Sequence, residues 1–275
     1  MLAPQEVGQP QWRELSASRR DTIERYLARF GDQKPRALNL HPGSVRQWAR
    51  RYPQAVAALI CLDFDDTIIT ENMSRLVFDQ FAEPGWREIQ AQYGRGEISV
   101  EQANAGCVDL IPVTTSPAEI GDFAVARAEL RPGLLDLADW ALWHDWQLAV
   151  VSNGLDCYVH PILDAAGLDR MVRHCGRTER TYRWRARYDS PRGIEIQDRF
   201  KVSYVAAFRA AGDFVAYAGD GASDVEAARM APAVFARDTL LERLEAEHPR
   251  LFPFETFHDI IAVLERESGR WQLEA

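Results

Sequence analysis

Lysine is almost absent from this chain. Of its 32 basic residues only two, Lys34 and Lys201, are lysines, so arginine is the usual cation. A lysine at 201 therefore indicates a position that requires a compact point charge, although an isolated lysine at the start of a helix is most often a surface residue. The composition is otherwise that of a globular protein, and 275 residues suffice for one core domain with an inserted or appended module.

Other absences argue against whole classes of protein. The formal net charge of −9 argues against a general nucleic-acid binder, because that role needs a basic surface. The longest apolar run, residues 55–62, is too short to cross a bilayer, and the first twenty residues lack a secretory signal. We therefore expect a cytoplasmic protein with no membrane contact. The four cysteines form no CxxC pair, so neither a disulfide framework nor a zinc site is indicated.

Short apolar runs alternate with helical patterns along most of the chain. This alternation predicts an α/β fold with a doubly wound parallel sheet. Ligands of such sheets bind at the carboxyl ends of the strands, where Asp63, Ser152 and Asp220 follow three of the runs. The predicted strands are 56–62, 147–151, 214–218 and 233–236, and the predicted helices between them are 134–146, 155–166 and 200–211.

Two insertions interrupt the predicted core. The first has a helical pattern broken by prolines and predicts a cap over the strand ends, and the second alternates arginine with aromatic residues and predicts a β-hairpin with its turn at 189–193. The predicted divisions are a helical extension (1–57), a core (58–72 and 132–262), a helical cap (73–131), the hairpin (176–197) and a C-terminal tail (263–275). The extension is expected to pack on the core; a docking or homodimer module is the alternative.

Carboxylates cluster around the predicted strand ends. Asp63 and Asp65 are two residues apart, so an extended backbone points both to the same side. Like charges this close need a metal ion, a lysine or a shared proton to compensate them. The glycine-rich turn "GDGASD" supplies Asp220 and Asp224, and oxygen-rich sites of this kind prefer Mg²⁺. Because these carboxylates need a positive charge, we expect Lys201 to lie in the site and not on the surface.

Carboxylates, Mg²⁺, a lysine and the hydroxyl of Ser152 or Thr67 together suit phosphoryl transfer. Asp63 is the predicted nucleophile, which would form an aspartyl-phosphate. Asp65 is the predicted acid and base, which would protonate the leaving oxygen and later deprotonate a water. A divalent cation and an ammonium reduce the repulsion between an attacking carboxylate and a phosphate. The expected partner is a small phosphomonoester.

Four ordered motifs resemble those of the haloacid dehalogenase superfamily: "DFDDT" (63–67), "VVSNG" (150–154), Lys201 and "GDGASD" (219–224). The resemblance spans about residues 55–262 and implies a Rossmannoid core. It implies catalytic roles for Asp63, Asp65 and Lys201, phosphate binding by Ser152, Asn153, Gly154 and Thr67, and a Mg²⁺ site of Asp63, Asp65, Asp220 and Asp224. Thr67 is also expected to order its turn, and Asp66 to be a solvated carboxylate.

Within this superfamily the chain resembles the phosphoserine-phosphatase-like branch, and in it the methionine-salvage phosphatases. Stretches such as "VSNGLDCYVHPIL" (151–163) and "DVEAARMA" (224–231) carry that likeness beyond the motifs. Asp65 argues against a dehalogenase proper, and the absence of lysine between 34 and 201 against a phosphonatase that uses a Schiff base. The resemblance therefore implies a phosphatase, with a methionine-salvage-type or biosynthetic sugar or keto phosphate as substrate.

Alternative functions stay open at this point. "TIITEN" (67–72) resembles the corresponding stretch of phosphoethanolamine and phosphocholine phosphatases, so Glu71 and Asn72 are candidate substrate-binding residues. A phosphoserine phosphatase, a phosphotransferase or mutase, and a phospho-ligand-binding protein without turnover are further alternatives. The arginines of 177–187 are expected on a solvated face; contact with a second acidic group of the substrate, or with nucleic acid, is the alternative.

Overall fold

A computed structural model describes residues 58–169 and 171–274. The predicted extension 1–57 lies outside these residues. The strands are β1 (Ala58–Leu62), β2 (Trp146–Leu155), β3 (Val172–Arg180), β4 (Trp184–Asp189), β5 (Glu195–Ile196), β6 (Phe214–Gly219), β7 (Ala233–Ala236) and β8 (Leu251–Pro253). They form one sheet in the order β5-β4-β3-β2-β1-β6-β7-β8.

Helices cover both faces of this sheet and extend beyond its strand ends. They are α1 (Met73–Phe81), α2 (Trp86–Gly94), α3 (Val100–Asp109), α4 (Pro117–Arg127), α5 (Leu134–Trp143), α6 (Asp156–Ala165), α7 (Phe200–Ala210), α8 (Val225–Met230), α9 (Asp238–Leu244) and α10 (Phe257–Glu274). A short 3₁₀ helix, Ala222–Asp224, precedes α8. None of the described helices is both long and apolar enough to span a membrane.

Strand β1 is the centre of the sheet. It pairs in parallel with β2 on one side and β6 on the other. Ile60 and Leu62 belong to one buried cluster and Leu59 and Cys61 to another, because successive side chains of a strand point to opposite faces. Burial on both faces explains the continuous apolar run of the sequence. The predicted α/β fold with a doubly wound parallel core is thus confirmed.

The helical segment from α1 to α4 lies between β1 and the rest of the core in the sequence. Ser99 and Gln102 form a capping box that starts α3, and Ser116 and Glu119 form another that starts α4. An isolated bridge between Ile69 and Leu130 closes the segment at its base. The chain therefore leaves the core after β1 and returns at nearly the same place, as an inserted module requires.

The second insertion is wider than predicted. Strand β3 begins in parallel pairing with β2 at Val172 and continues into antiparallel pairing with β4. The hairpin is therefore an extension of the main sheet and not a separate ribbon. The turn predicted at 189–193 does lie between β4 and β5, where Ser190 accepts a hydrogen bond from Gly193.

Three predicted boundaries need correction. Helix α5 ends at Trp143, and Trp146, predicted to be helical, is the first residue of β2. Strand β2 continues to Leu155 and so contains the predicted phosphate-binding residues 152–154. Residues 263–274 are not a tail, because they belong to α10 and the indole of Trp271 is buried and stacked on Phe214 with ring centroids 5.5 Å apart.

Candidate active site

Asp63 stands at the carboxyl end of β1 and is held there by the sheet. Its backbone N–H donates to the carbonyl of Ala218 at 2.9 Å, which continues the pairing of β1 with β6 by one residue. The side chain is buried, and its Oδ1 atom lies 2.8 Å from Nζ of Lys201. Burial and the charge of Asp224 raise the pKa of Asp63 well above its usual range, against the opposing effect of Lys201.

The predicted catalytic lysine, Lys201, lies in the centre of the site. It lies in the first turn of α7 and is only 3% exposed. Its ammonium also contacts Oδ1 of Asp224 at 2.6 Å and Oγ of Ser223 at 3.2 Å. Burial disfavours the ammonium, but the carboxylates of Asp224 and Asp63 outweigh it and raise the pKa of Lys201. The ammonium form is therefore favoured at this position.

Asp224 is the most constrained acid of the site. Its Oδ1 accepts from Lys201 and from the Tyr217 hydroxyl at 2.5 Å, and its Oδ2 accepts from the backbone N–H groups of Asp220 and Gly221. A Cβ at Gly219 would lie 2.7 Å from the carboxyl carbon of Asp224, so the turn requires glycine there. Asp224 thus fixes both the lysine and the "GDGASD" loop.

Three acids meet closely enough to share a cation. One oxygen from each of Asp63, Asp220 and Asp224 lies within 4.8 Å of the others. Burial and Asp224 raise the pKa of Asp220 to about 7, so the group is short of positive charge even with Lys201 beside it. An oxygen-only donor set with this charge deficit fits Mg²⁺. The carboxylate of Asp65 lies outside this group, and its predicted metal role stays a prediction.

Asp65 faces the helical segment. Its Oδ1 accepts from the backbone N–H of Met73 at 2.7 Å, at the start of α1, and its Oδ2 accepts from the Tyr158 hydroxyl at 2.7 Å. The Ser74 hydroxyl contacts Tyr158 at 2.6 Å. Burial raises the pKa of Asp65 to about 6 in spite of these hydrogen bonds. A carboxyl with a pKa near neutrality suits an acid and base.

The predicted phosphate-binding residues lie on the end of the neighbouring strand β2. Ser152 and Asn153 are buried, and the Ser152 Oγ accepts from the backbone N–H of Gly154 at 2.9 Å. A Cβ at Gly154 would lie 2.6 Å from the Tyr158 hydroxyl and 3.1 Å from Ser152 Oγ. Glycine at 154 therefore lets Ser152 and Tyr158 keep their places, with Tyr158 still in contact with Asp65.

The residues that follow Asp63 complete the loop after β1. Thr67 donates its hydroxyl to Oδ1 of Asp220 at 2.9 Å, which favours its ordering role over direct phosphate binding. Asp66 has a left-handed backbone with φ 58°, and its carboxylate accepts from Asn72 at 2.9 Å. Asn72 also caps α1 and lines the cavity. Glu71 is exposed and does not line the cavity described below, so its predicted substrate role is not supported.

A cavity of about 280 Å³ joins these groups. Its core side carries the acids, Lys201 and residues 152–154, and its other wall comes from the helical segment. That wall consists of Ser74, Arg75, Gln90, Tyr93, Val100 and Asn104. The predicted cap therefore contributes a cation, two amides, a hydroxyl, a phenol and one apolar side chain, but no carboxylate, to the surface opposite Asp63.

Several supporting residues were not predicted. Arg131 donates to the backbone carbonyls of Thr67 and Asp66 at 2.7 and 2.5 Å and so supports the loop after Asp63. Tyr158 and Tyr217 hold Asp65 and Asp224. Arg131 and Tyr158 lie 64 and 93 residues from Thr67 and Asp65, and Tyr217 lies seven residues before Asp224. None of the three belongs to a local motif, so the sequence carries no signal for these contacts.

Comparison with known proteins agrees with this geometry. The profile of the haloacid dehalogenase-like hydrolase family matches residues 60–229. A protein of Bacillus thuringiensis subsp. konkukian, named 2-hydroxy-3-keto-5-methylthiopentenyl-1-phosphate phosphatase, is 29% identical over 202 residues, covering 72% of this chain and 91% of its own. A Bacillus cereus protein of the same name is 28% identical over 211 residues, covering 75% of this chain and 95% of its own.

Solved structures share the fold at lower identity. A phosphoserine phosphatase described as a phospho-aspartyl intermediate analogue has a TM-score of 0.57 and 19% identity, and it covers 75% of this chain and 98% of its own. A substrate-bound phosphoserine phosphatase has a TM-score of 0.56 and 18% identity, with the same coverage. A probable phosphoserine phosphatase from Vibrio cholerae has a TM-score of 0.56 and 17% identity, and covers 80% of this chain and 71% of its own.

Proposed function

The chain belongs to the haloacid dehalogenase-like hydrolases and is a phosphoric monoester hydrolase, and from this premise we propose that it hydrolyses a small-molecule phosphomonoester through an aspartyl-phosphate, with Mg²⁺, in the cytoplasm. The observation that carries the proposal is the contact of 2.8 Å between Asp63 and Lys201 at the base of the cavity. It joins a nucleophile to the charge that a phosphoryl group requires.

In the first step an oxygen of Asp63 forms a bond to phosphorus as the bond from phosphorus to the ester oxygen breaks. The pKa of Asp65, near 6, allows it to carry the proton that goes to the leaving oxygen. The product alcohol departs toward the wall formed by the helical segment. Without compensation, a carboxylate about 3 Å from one unit of phosphate charge is opposed by roughly 5 kcal/mol at an effective dielectric near 20.

In the second step a water attacks phosphorus and gives its proton to Asp65, which has become the base. The bond between phosphorus and the Asp63 oxygen then breaks, releasing inorganic phosphate and restoring the carboxylate. Tyr158 and the Met73 N–H hold Asp65 in one orientation for both proton transfers. Asp65 thus begins and ends the cycle protonated.

Phosphate oxygens and Mg²⁺ would be held by residues at different strand ends. The hydroxyl of Ser152 and the backbone at Asn153 and Gly154 are our candidates for the phosphate oxygens. Asp63 and Asp220 are candidates for Mg²⁺, and Asp224, whose oxygens already accept four hydrogen bonds, completes the acidic group. When bound, Mg²⁺ supplies charge neutralisation at the phosphate and at the acids.

The proposed substrate class is an oxygen-rich keto or sugar phosphate of the methionine-salvage type. The names of the bacterial relatives support it, and so does the wall opposite the nucleophile. Arg75, Gln90 and Tyr93 offer hydrogen-bond donors to carbonyl, hydroxyl or carboxylate groups. The wall has no carboxylate to pair with an ammonium group, which favours this class over amino-alcohol phosphates.

One observation favours a second candidate substrate class. The carboxylate of Asp66 also lines the cavity beside Asn72, and it could meet the ammonium of phosphoethanolamine, phosphocholine or phosphoserine. Transfer of the phosphoryl group to an alcohol is a further alternative, and a homodimer stays a prediction. A panel of phosphomonoesters, with product analysis in the presence and absence of an acceptor sugar, separates these possibilities.

The Asp63→Asn variant tests the mechanism, because it keeps the side-chain volume and removes the nucleophile. We expect loss of turnover for every phosphomonoester, with thermal unfolding still cooperative. The Glu71→Gln variant is the control, since the Glu71 side chain is exposed and is not part of the cavity lining. Mg²⁺-dependent hydrolysis by Asp63→Asn at the wild-type rate would refute the aspartyl-phosphate.

A further inference from the structure

Helix α7, which carries Lys201, has no N-cap of its own. Arg199 occupies the N-cap position with a left-handed backbone, φ 59°, and its side chain makes no capping hydrogen bond. An N-cap side chain normally accepts from one of the first N–H groups of the helix, and arginine has no acceptor atom with which to do so. The first N–H of α7, on Phe200, therefore requires an acceptor from elsewhere.

Glu101 of the helical segment supplies that acceptor. Its Oε1 accepts from the backbone N–H of Phe200 at 2.9 Å, across 99 residues of sequence. The same oxygen accepts from Nδ2 of Asn153 at 2.9 Å. Glu101 is only 3% exposed, so both hydrogen bonds are shielded from water. One carboxylate oxygen therefore joins the cap, the phosphate-binding strand and the lysine helix.

The position of Glu101 also suits its charge. It lies in the first turn of α3 and faces the first turn of α7, so its carboxylate lies near the positive ends of two helix dipoles. One turn later, Asn104 donates to the carbonyl of Asn153 at 2.8 Å, and so does the hydroxyl of Tyr188 on β4. Helix α3 thus holds both the side chain of Asn153, through Glu101, and the backbone carbonyl of Asn153, through Asn104.

We propose that Glu101 is a positioning residue that caps the Lys201 helix from the cap segment and thereby couples the seating of the cap to the assembly of the phosphate site. The inference rests on the proposed function, because it uses the roles proposed there for Lys201 and Asn153. When α3 is seated, Phe200 and Asn153 are fixed together. When α3 lifts away, two buried donors lose their acceptor, and the lysine helix and the phosphate strand loosen at the same time.

One atom of Glu101 fits a role in function better than a role in stability. Its Oε2 is buried and has no hydrogen-bond partner among the described residues. A buried carboxylate oxygen without a partner costs free energy, so packing alone would favour an apolar side chain at this position. Oε1 accepts two hydrogen bonds, each from a segment with a proposed role in catalysis, and these bonds explain why the position holds a glutamate.

The test compares Glu101→Ala and Glu101→Gln with Glu88→Ala. Glu88 also lies in the first turn of a cap helix, but it is exposed and pairs only with Arg95 among the described residues. The readouts are hydrogen exchange of the backbone amides near Phe200 and Asn153, the inhibition constant for inorganic phosphate, and the separate values of kcat and KM.

For Glu101→Ala we expect faster exchange confined to the amides near 200 and 153, and kcat/KM lower by about tenfold or more. The inhibition constant for inorganic phosphate should rise in parallel. Glu88→Ala should match the wild type in all three. Wild-type exchange and wild-type phosphate inhibition in Glu101→Ala, or the same changes in Glu88→Ala, would overturn the proposal.

Glu101→Gln keeps the test decisive if the alanine variant does not fold. Its side-chain oxygen can accept both hydrogen bonds, so we expect Phe200 to stay protected and kcat/KM to remain within about threefold of the wild type. Loss of protection at Phe200 in a folded Glu101→Gln variant would overturn the proposal. Hydrogen exchange does not depend on turnover. A wild-type protein without phosphatase activity would therefore refute only the proposed function, and the exchange data would still test the role of Glu101.

Discussion

Replacing Lys201 with methionine removes the only side-chain cation that lies among the acids at the base of the cavity within the described part of the chain. Methionine is unbranched and of similar length, so the change deletes charge with little change in volume. Asp63 and Asp224 would then be buried carboxylates without a counterion. We expect the variant to lose turnover and a large part of its stability when Mg²⁺ is absent.

The size of the effect follows from the two contacts of the ammonium, at 2.8 Å to Asp63 and 2.6 Å to Asp224. Each attraction is worth roughly 6 kcal/mol at an effective dielectric near 20, before the cost of burying the charges is subtracted. Removing one partner of a buried ion pair typically costs about 3–5 kcal/mol net. For a chain of this size that corresponds to a fall in Tm of roughly 6–20 °C.

The assay is thermal unfolding in EDTA and again with Mg²⁺. Arg229→Met is the matched control, because it breaks the Arg229–Glu247 pair, in which both side chains are about half exposed. Such a surface pair is worth about 0–1 kcal/mol, so its Tm should change by no more than roughly 4 °C. Mg²⁺ should raise the Tm of Lys201→Met more than that of the wild type, because the cation replaces part of the missing charge.

Two outcomes would refute this reasoning. If Lys201→Met unfolds in EDTA within about 1 °C of the wild type, the ammonium does not offset the acids in the way that the geometry requires. If Mg²⁺ stabilises the wild type and the variant equally, the acids do not respond as one group. Either result would place the charge compensation of the site elsewhere.

Two further substitutions probe the surroundings of Asp65, and a third probes Asp213, which precedes β6 at the opposite end of that strand from Asp220. Tyr158→Phe removes the hydroxyl that orients Asp65 and should lower kcat about tenfold, with a smaller change in KM, as steady-state kinetics will show. Gly154→Ala should produce a similar loss, because its Cβ displaces that hydroxyl, and adding it to Tyr158→Phe should cost little more. Burial raises the pKa of Asp213 to about 6, so its ionised form opposes folding above that pH; Asp213→Asn should raise Tm at pH 8, and the gain should vanish as pH falls toward 4.

Local patterns in the sequence were enough to predict the centre of the fold and the residues at its strand ends. Strands β1, β6 and β7 are short apolar runs that are buried on both faces, so their composition predicts them directly. Strand β3 has the largely polar sequence "VRHCGRTER" and β8 has only three residues, so neither carries an apolar run long enough to predict a strand. Their pairing partners, β2 and β7, determine them instead.

The partners of the predicted site residues could not be found in the same way. Lys201 was conspicuous because the chain contains so little lysine, and Asp63 and Asp65 because their spacing points both to one side. Glu101 looks like an ordinary acid in the first turn of a helix, and its hydrogen bonds to Asn153 and Phe200 depend on how α3 seats on the core. Contacts of this kind depend on tertiary packing, which periodicity does not describe.

The two ends of the sheet have a consequence for the behaviour of the chain at high concentration. An exposed edge strand can recruit a second chain through its unpaired backbone groups, and natural proteins limit this with short edges, charged residues and proline. Here the edges are β5, with two residues, and β8, with three that include Pro253. Strand β4 pairs with β5 only at Tyr188 and Asp189, so its segment 184–187 is a further edge among the described strands, and there Arg185 and Arg187 supply the charge. Within the described residues the sheet therefore limits edge-to-edge growth by short edges, charge and proline, and its long parallel strands lie between those edges.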